Sequence, residues 1–318
     1  MSRIIVGTIV TENYLPAAQV MAESFRRHHP EIPLRVLFVG VKTACRAAKK
    51  TGLDVLRISD LGLPDMTQFF PGYDRMQTMV ALKPFLLAHL LESSDGAAVF
   101  LDSDILVTAS LDPLFEEVAQ HSLSVTPHIG LRGPQPGRSR MERILLMAGM
   151  YNGGFVGVTD REETRKFLDW WKSRLKTHCI CAPGEGFNHD QRWLDLAQGF
   201  VSDFHLVRDP GCNVAYWNLP ELELTQTGSA FFANGSPLRF FHFSGFDPGT
   251  PDEVSRHAPG WKVDELGVAA ALFRRYATLL KIAGCADAIN APWPWDDKPP
   301  SLLQRFRAWL GLAKTPAG

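Results

Sequence analysis

The stretch Ala97-Ala98-Val99-Phe100-Leu101-Asp102-Ser103-Asp104 decides how the chain is built. Five apolar residues in a row, with no polar alternation, read as a strand buried on both faces, the pattern of a parallel sheet covered by helices. Two carboxylates follow at its carboxyl end, where they are costly unless paired, solvated or bound to a metal. In an extended segment residues i and i+2 point the same way, so Asp102 and Asp104 can face one cation. Oxygen ligands of this kind suit Mg2+ or Mn2+ holding a diphosphate. A solvated turn or a helix cap accounts for the same residues equally well.

Working outward, the preceding hundred residues alternate between two periods. Arg3–Val10, Leu34–Val39 and Asp54–Ile58 read as strands. Pro16–His28, Thr43–Thr51 (stopped by Gly52) and Met76–Leu91 read as helices, with Pro84 kinking the last or opening its second part. Alternation of this kind predicts an α/β fold with a Rossmann-like, mixed but mostly parallel sheet flanked by helices, whose ligands sit at the carboxyl ends of the strands. Beyond Asp104 the spacing predicts strands at Phe155–Val158 and Leu238–Phe243 and helices at Glu162–Leu175, Asp190–Leu196 and Glu265–Ala283. Pro127–Arg140, carrying Arg132, Arg138 and Arg140, reads as a long loop, either solvated or a lid. Ala182–Phe187 is a Gly/Pro loop and Ala291–Pro300 a Pro/Trp-rich linker.

Composition narrows the function classes. The chain has 318 residues, 45% hydrophobic and 10% aromatic, with a formal net charge of −1. That apolar content excludes intrinsic disorder, and the charge balance argues against a nucleic-acid binder. Five scattered cysteines read as reduced thiols; His178-Cys179-Ile180-Cys181 lacks a second cluster to complete a four-ligand metal site. No secretory signal pattern opens the chain and no uncharged apolar run is long enough to span a bilayer, so a cytoplasmic protein is expected. There is no Gly-x-Gly-x-x-Gly after the first strand, no phosphate-loop motif and no Gly-x-Ser-x-Gly elbow.

Four further groups could carry chemistry. His242 lies in Phe240-Phe241-His242-Phe243-Ser244-Gly245 and reads as a core histidine or as a third, nitrogen ligand favouring Mn2+. Gly245 would let the backbone approach a phosphate. Tyr151-Asn152-Gly153-Gly154 reads as a turn, or as glycines admitting a sugar ring with Asn152 bonding its hydroxyls. Asn188-His189-Asp190-Gln191 opens a helix, with a capping role as the plain alternative. Lys83, the one charge in an apolar helical stretch, either snorkels to the surface or reaches a phosphate.

In order along the chain, Thr11-Glu12-Asn13-Tyr14, Lys83, Phe100-Leu101-Asp102-Ser103-Asp104, Tyr151-Asn152-Gly153-Gly154, Asp190-Gln191 and Phe241-His242-Phe243-Ser244-Gly245 resemble glycosyltransferase family 8, over roughly residues 3–248. The resemblance implies a GT-A-type fold as a single catalytic domain over residues 1–250, with a nucleotide-binding half to about residue 107 and an acceptor half over 108–250. Residues 251–318 would then form a C-terminal helical extension. It implies a retaining transferase moving a hexose from a nucleoside-diphosphate sugar, UDP-sugar foremost, to a glycan or a lipid-linked or lipopolysaccharide acceptor. Asp102, Asp104 and His242 would ligate Mn2+ (or Mg2+). Thr8, Ile9, Thr11, Asn13, Tyr14, Lys83, Ser103, Gly153, Gly154 and Gly245 would line the donor, and Asn152, Asp190 and Gln191 the transferred sugar, with Gln191 beside its anomeric carbon.

The chain departs from that pattern twice. Thr11 stands where the family usually has an aspartate that contacts uracil, and Phe246-Asp247-Pro248 replaces a Lys-Pro-Trp whose lysine sits on the diphosphate. Lys262 or Lys83 is the expected replacement. These departures keep a second reading open, a catalytically inactive nucleotide-sugar or carbohydrate-binding protein on the same fold. Leu302, Leu303, Phe306, Trp309 and Leu310, at helical spacing among Arg305, Arg307 and Lys314, read as a basic amphipathic tail. It either docks on the protein or touches the inner face of the membrane.

Overall fold

The computed structural model describes residues 4–64, 66–70, 72–94, 96–130, 139–288, 291 and 293. Its centre is a seven-stranded sheet. The strands are β1 (Ile4–Val10), β2 (Leu34–Phe38), β3 (Asp54–Arg57), β4 (Ala97–Leu101), β6 (Leu123–Pro127), β7 (Tyr151–Thr159) and Phe204–Leu206, ordered Phe204–Leu206, β6, β7, β4, β1, β2, β3. Every neighbouring pair is parallel except the two made by β7. Between β4 and β6 the short β5 (Ile105–Val107) leaves the sheet to pair antiparallel with Phe240–His242.

The sheet is buried on both faces, as its apolar runs require. Along β1, Ile5 and Ile9 face the helices Lys83–Ser93 and Glu162–His178. Val6 and Val10 face Leu15–His28 and Asp112–Gln120. Gly7 permits close packing: a Cβ there would meet Leu90 Cδ1 at 2.5 Å. The helix Ala269–Ile282 covers a third apolar cluster with Phe241, Phe243 and Val20. No helix among the described residues is long and apolar enough to cross a membrane.

After β1 the chain winds outward through β2 and β3, then returns to the other side of β1 as β4. The carboxyl ends of β1 and β4 therefore flank the point where the winding reverses, which is where open α/β sheets bind ligands. Thr11–Tyr14 follow β1 there, and Asp102–Asp104 follow β4.

Several sequence expectations are corrected. The Met76–Leu91 stretch is two helices, Arg75–Ala81, capped by Asp74 and Gln77, and Lys83–Ser93, so of the two expected roles Pro84 takes that of opening the second part. Tyr151–Gly154 is part of β7 and not a turn, because Tyr151 and Asn152 pair with β6 and a register shift then lets the next residues bulge. The expected loop from Pro127 narrows, since Pro127 ends β6 and Ser139–Ala148 is helical. Arg132 and Arg138 lie outside the described residues, as does the side chain of Arg140. Gly267, at φ 55°, divides the expected Glu265–Ala283 helix into a short 3-10 turn, Val263–Leu266, and Ala269–Ile282. All five cysteines are free. The amphipathic tail, Leu302–Leu310, lies outside the described residues.

Gly211 shows how tightly the strand Phe240–His242 is seated. Its carbonyl accepts from the amides of Arg239 (2.8 Å) and Phe240 (3.2 Å), and a Cβ would lie 2.0 Å from the Pro237 carbonyl oxygen. Backbone cannot yield as a side-chain tip does. Gly211→Ala is expected to cost at least about 1–3 kcal/mol, read as a lowered urea midpoint. An unchanged midpoint would mean this seat is loose.

Candidate active site

Lys83 begins the helix Lys83–Ser93 and is 3% exposed. Burying its stem among apolar neighbours leaves the ammonium needing several partners. It finds Asp190 Oδ2 at 2.9 Å and Asp102 Oδ1 at 3.4 Å, and donates to the Gly153 carbonyl at 2.8 Å. Burial alone would lower its pKa, but the two carboxylates prevail and hold it firmly charged. One ammonium thus joins the end of β4, the bulge of β7 and the start of the helix Gln191–Leu194.

The second cluster is Asp102, Asp104 and His242, whose candidate ligand atoms lie within 4.8 Å of one another. His242 Nε2 is 3.2 Å from Asp104 Oδ1 and 3.8 Å from Asp102 Oδ2. Its other nitrogen, Nδ1, bonds Asn213 Oδ1 at 3.1 Å. The Asn213 orientation is fixed, since its Nδ2 donates to Thr126 Oγ1 (2.8 Å) and Asn152 Oδ1 (3.1 Å). Asn213 is fully buried with φ 54°, a left-handed conformation that asparagine tolerates better than most residues. Nδ1 therefore carries the proton and Nε2 aims a lone pair at two carboxylates. Only a proton or a metal ion makes that arrangement favourable, so the donor set fits a divalent cation.

The titration of the cluster follows. Burial raises Asp102 despite Lys83 and His242. At Asp104 burial also pushes upward, but the charge and hydrogen bond of His242 prevail and hold the carboxyl below its ordinary range. At His242 burial pushes downward, and Asp104 with Asp102 overcomes it, leaving the imidazole above its usual value. Burial takes His128 down to about 4, so at neutral pH its Nε2 accepts from Asn152 Nδ2 at 3.3 Å.

The two glycines of β7 separate these clusters. Successive strand residues face opposite ways. A Cβ on Gly153 would meet Asp190 Oδ2 at 2.5 Å, and one on Gly154 would meet His242 Cε1 at 2.4 Å. The space they leave is filled by the protein's own charged groups. Asn152 is likewise engaged inward, its Oδ1 accepting from Gly154 N (2.9 Å) as well as from Asn213.

Two adjoining cavities open here. The first, about 260 Å³, is lined by Ile9, Asn13, Tyr14, Lys83, Asp102, Ser103, Asp104, His242 and Gly245, together with Arg75, Met76, Met79, Arg256 and His257. The second, about 400 Å³, takes in Asn152, Gly153, Gly154, Asp190 and Gln191, and shares Lys83, Asp102 and His242 with the first. Thr8 and Thr11 line neither. Thr8 is buried within β1, and Thr11 turns its hydroxyl to Asn13 Oδ1. Lys262 is also elsewhere, paired with Glu253 on the surface. The sequence reading missed Asn213, His128, Tyr216, Trp217, Arg256 and His257. Trp217 stands edge-on to both His242 (5.2 Å) and His128 (5.3 Å). Nothing local in Gly211-Cys212-Asn213 marks the last residue, whose role comes wholly from tertiary contacts.

No family model matches the chain. It is 25% identical over 248 residues to the uncharacterized protein YfnF of Bacillus subtilis (strain 168), across 75% of this chain and 80% of that protein. It is 25% identical over 261 residues to YfnD of the same organism, across 80% and 82%. The crystal structure of the galactosyltransferase LgtC, in complex with donor and acceptor sugar analogs, matches with a TM-score of 0.50 at 17% identity, covering 91% of this chain and 98% of that one. The chain therefore shares the fold of that galactosyltransferase, a mixed, mostly parallel GT-A sheet flanked by helices, at low sequence identity.

Removing the buried ammonium tests the site's foundation. Lys83→Met would leave Asp190 and Asp102 without their cation and is expected to cost about 3–5 kcal/mol at pH 7. Because the folded lysine's pKa is raised, its contribution is complete below about pH 10.4, so the wild type keeps it throughout the neutral range. The variant's deficit should shrink as the pH falls and Asp102 takes up a proton. Denaturant unfolding at pH 5 and pH 7 checks both, and equal stability of variant and wild type at pH 7 would remove Lys83 from this role.

Proposed function

We propose that the chain is a metal-dependent glycosyltransferase that moves a hexose from a nucleoside-diphosphate sugar, UDP-sugar foremost, to a glycan or a lipid-linked or lipopolysaccharide acceptor with retention of configuration. The observation that carries this reading is the Asp102–Asp104–His242 cluster beside the carboxyl end of β4, at the switch point of the sheet, lining the first cavity and, through Asp102 and His242, the second. Asp102, Asp104 and His242 would hold Mn2+ or Mg2+, which when bound neutralises negative charge on a diphosphate leaving group.

The remaining steps belong to the chain's own residues. Ile9, Asn13 and Tyr14 form the nucleotide side of the first cavity. In the second, Asp190 and Gln191 flank the space for the transferred sugar. Gln191 Nε2 donates to the Ala148 carbonyl at 3.0 Å, which fixes the amide at the cavity wall. An amide is a weak nucleophile, and Asp190 is held by Lys83. Both facts favour attack from the leaving-group side, with these residues orienting the sugar. Asn152, bonded at both ends of its amide, acts by positioning Asn213 and hence His242. Tyr216 offers an aromatic surface to an acceptor sugar, backed by the buried Trp217, while Ile144 and Leu145 give the same cavity an apolar side suited to a lipid-linked portion.

Thermal shift with UDP, GDP and their sugars, each with and without Mn2+, tests the donor site. Stabilisation of several degrees that requires the metal and vanishes in Asp104→Ala is the expected result. A cation must displace the proton that the carboxylates hold on His242, so its affinity should rise as the pH climbs through and above about 6.5. Metal-independent stabilisation by every nucleotide would count against the reading.

A further inference from the structure

The donor cavity is lined by three permanently charged cations, and two are already committed. Lys83 is spent on Asp102, Asp190 and the Gly153 carbonyl. Arg75 donates to the Ala291 carbonyl at 2.9 Å and lies 5.6 Å from the ring centre of Trp293. The third, Arg256, pairs with no described carboxylate; its Nε donates to His257 Nε2 at 3.4 Å, and the side chain is solvent-exposed at the cavity wall. A nucleoside diphosphate carries more negative charge than a divalent ion shared with two carboxylates can offset, so a further cation is needed where the diphosphate lies.

The backbone holding Arg256 is built to deliver it there. Gly245, three residues beyond His242, has φ 73°, and its carbonyl accepts from the Arg256 amide at 2.9 Å. Ser255 Oγ donates to the Ser244 carbonyl at 2.8 Å and accepts from the His257 amide at 3.1 Å. The two turns touch so closely that a Cβ on Gly245 would lie 2.6 Å from both Ser255 Oγ and His257 Cδ2. Residues 255–257 are thereby pinned to the loop that leaves His242.

We propose that Arg256 is the cation that grips the donor diphosphate, its guanidinium binding phosphate oxygens on the side of the cavity opened by Tyr14 and Gly245. The inference rests on the donor reading above and deepens it. The hydrogen bond from Arg256 Nε requires an unprotonated acceptor nitrogen on His257, so His257 adds no second charge to this wall. Arg256 is then the positive charge of this wall that no described carboxylate pairs with. A planar fork of donors suits a diphosphate better than a lysine's point charge does.

Calorimetric titration in Mn2+ with UDP, GDP, uridine and guanosine separates the possibilities. Arg256→Ala is expected to weaken the diphosphate that the wild type binds by about ten- to a hundredfold, to leave nucleoside binding unchanged, and to melt where the wild type melts. Arg256→Lys should recover part of the loss. Equal diphosphate affinity in wild type and Arg256→Ala would overturn the assignment while leaving the donor reading standing. A wild type that binds neither diphosphate would overturn the donor reading and this assignment with it. Parallel loss of nucleoside and diphosphate binding would show that Arg256 acts on the cavity's shape, and would also overturn it.

Discussion

The almost fully buried ammonium of Lys83 holds two carboxylates from different parts of the chain. Taking Lys83 and Asp190 out of water, with Asp102 partly withdrawn, costs several kcal/mol per buried ion, and the cost is met only when the geometry is close and the remaining hydrogen bonds are made. The Gly153 carbonyl makes the last of them. That requirement explains the bulge in β7, the glycine at 153 and the approach of the segment carrying Asp190 to the sheet. Asp102, fixed on one side by Lys83, faces His242 on the other.

His242 depends on a second chain of contacts that contains no formal charge. His128, Asn152 and Asn213 pass hydrogen-bond direction from one amide to the next until Nδ1 of His242 must be the protonated nitrogen. The nitrogen that faces Asp102 and Asp104 is thus set by residues on the opposite side of the ring. Gly154 is required because His242 and the Asn152 amide press against its Cα from the same side. The adjacent glycines therefore answer to two separate clusters.

The parts of this arrangement legible in the sequence are those that local chemistry enforces. β1 and β4 announce themselves because strands buried on both faces must be apolar throughout, and Asp102 and Asp104 stand out because charge at the end of such a strand needs a reason. Lys83 stands out for the same cause. What local chemistry does not enforce was missed. Tyr151–Gly154 resembles a turn, since Asn and Gly favour turns wherever packing does not overrule them, and here the ion pair and the imidazole overrule them. Lys262 was as good a phosphate ligand on paper as Arg256, but it pairs with Glu253. Asn213 and Trp217 reach the site through the seating of Phe240–His242 on Gly211 and Val214, a long-range contact with no local signature. Thr8 and Thr11 fall within the right segment, and strand alternation and an internal hydrogen bond turn them away from the cavity.

Release of nucleoside diphosphate from UDP- and GDP-sugars, followed by phosphorus NMR with and without Mn2+, addresses the whole assignment at once. A donor cleaved only when the cation is present, and not cleaved by Asp104→Ala, is the outcome expected of a transferase site made from Asp102, Asp104 and His242. Tight, metal-dependent donor binding with no release, even with glycan and lipid-linked acceptors supplied, would contradict it and leave a binding protein on a transferase fold.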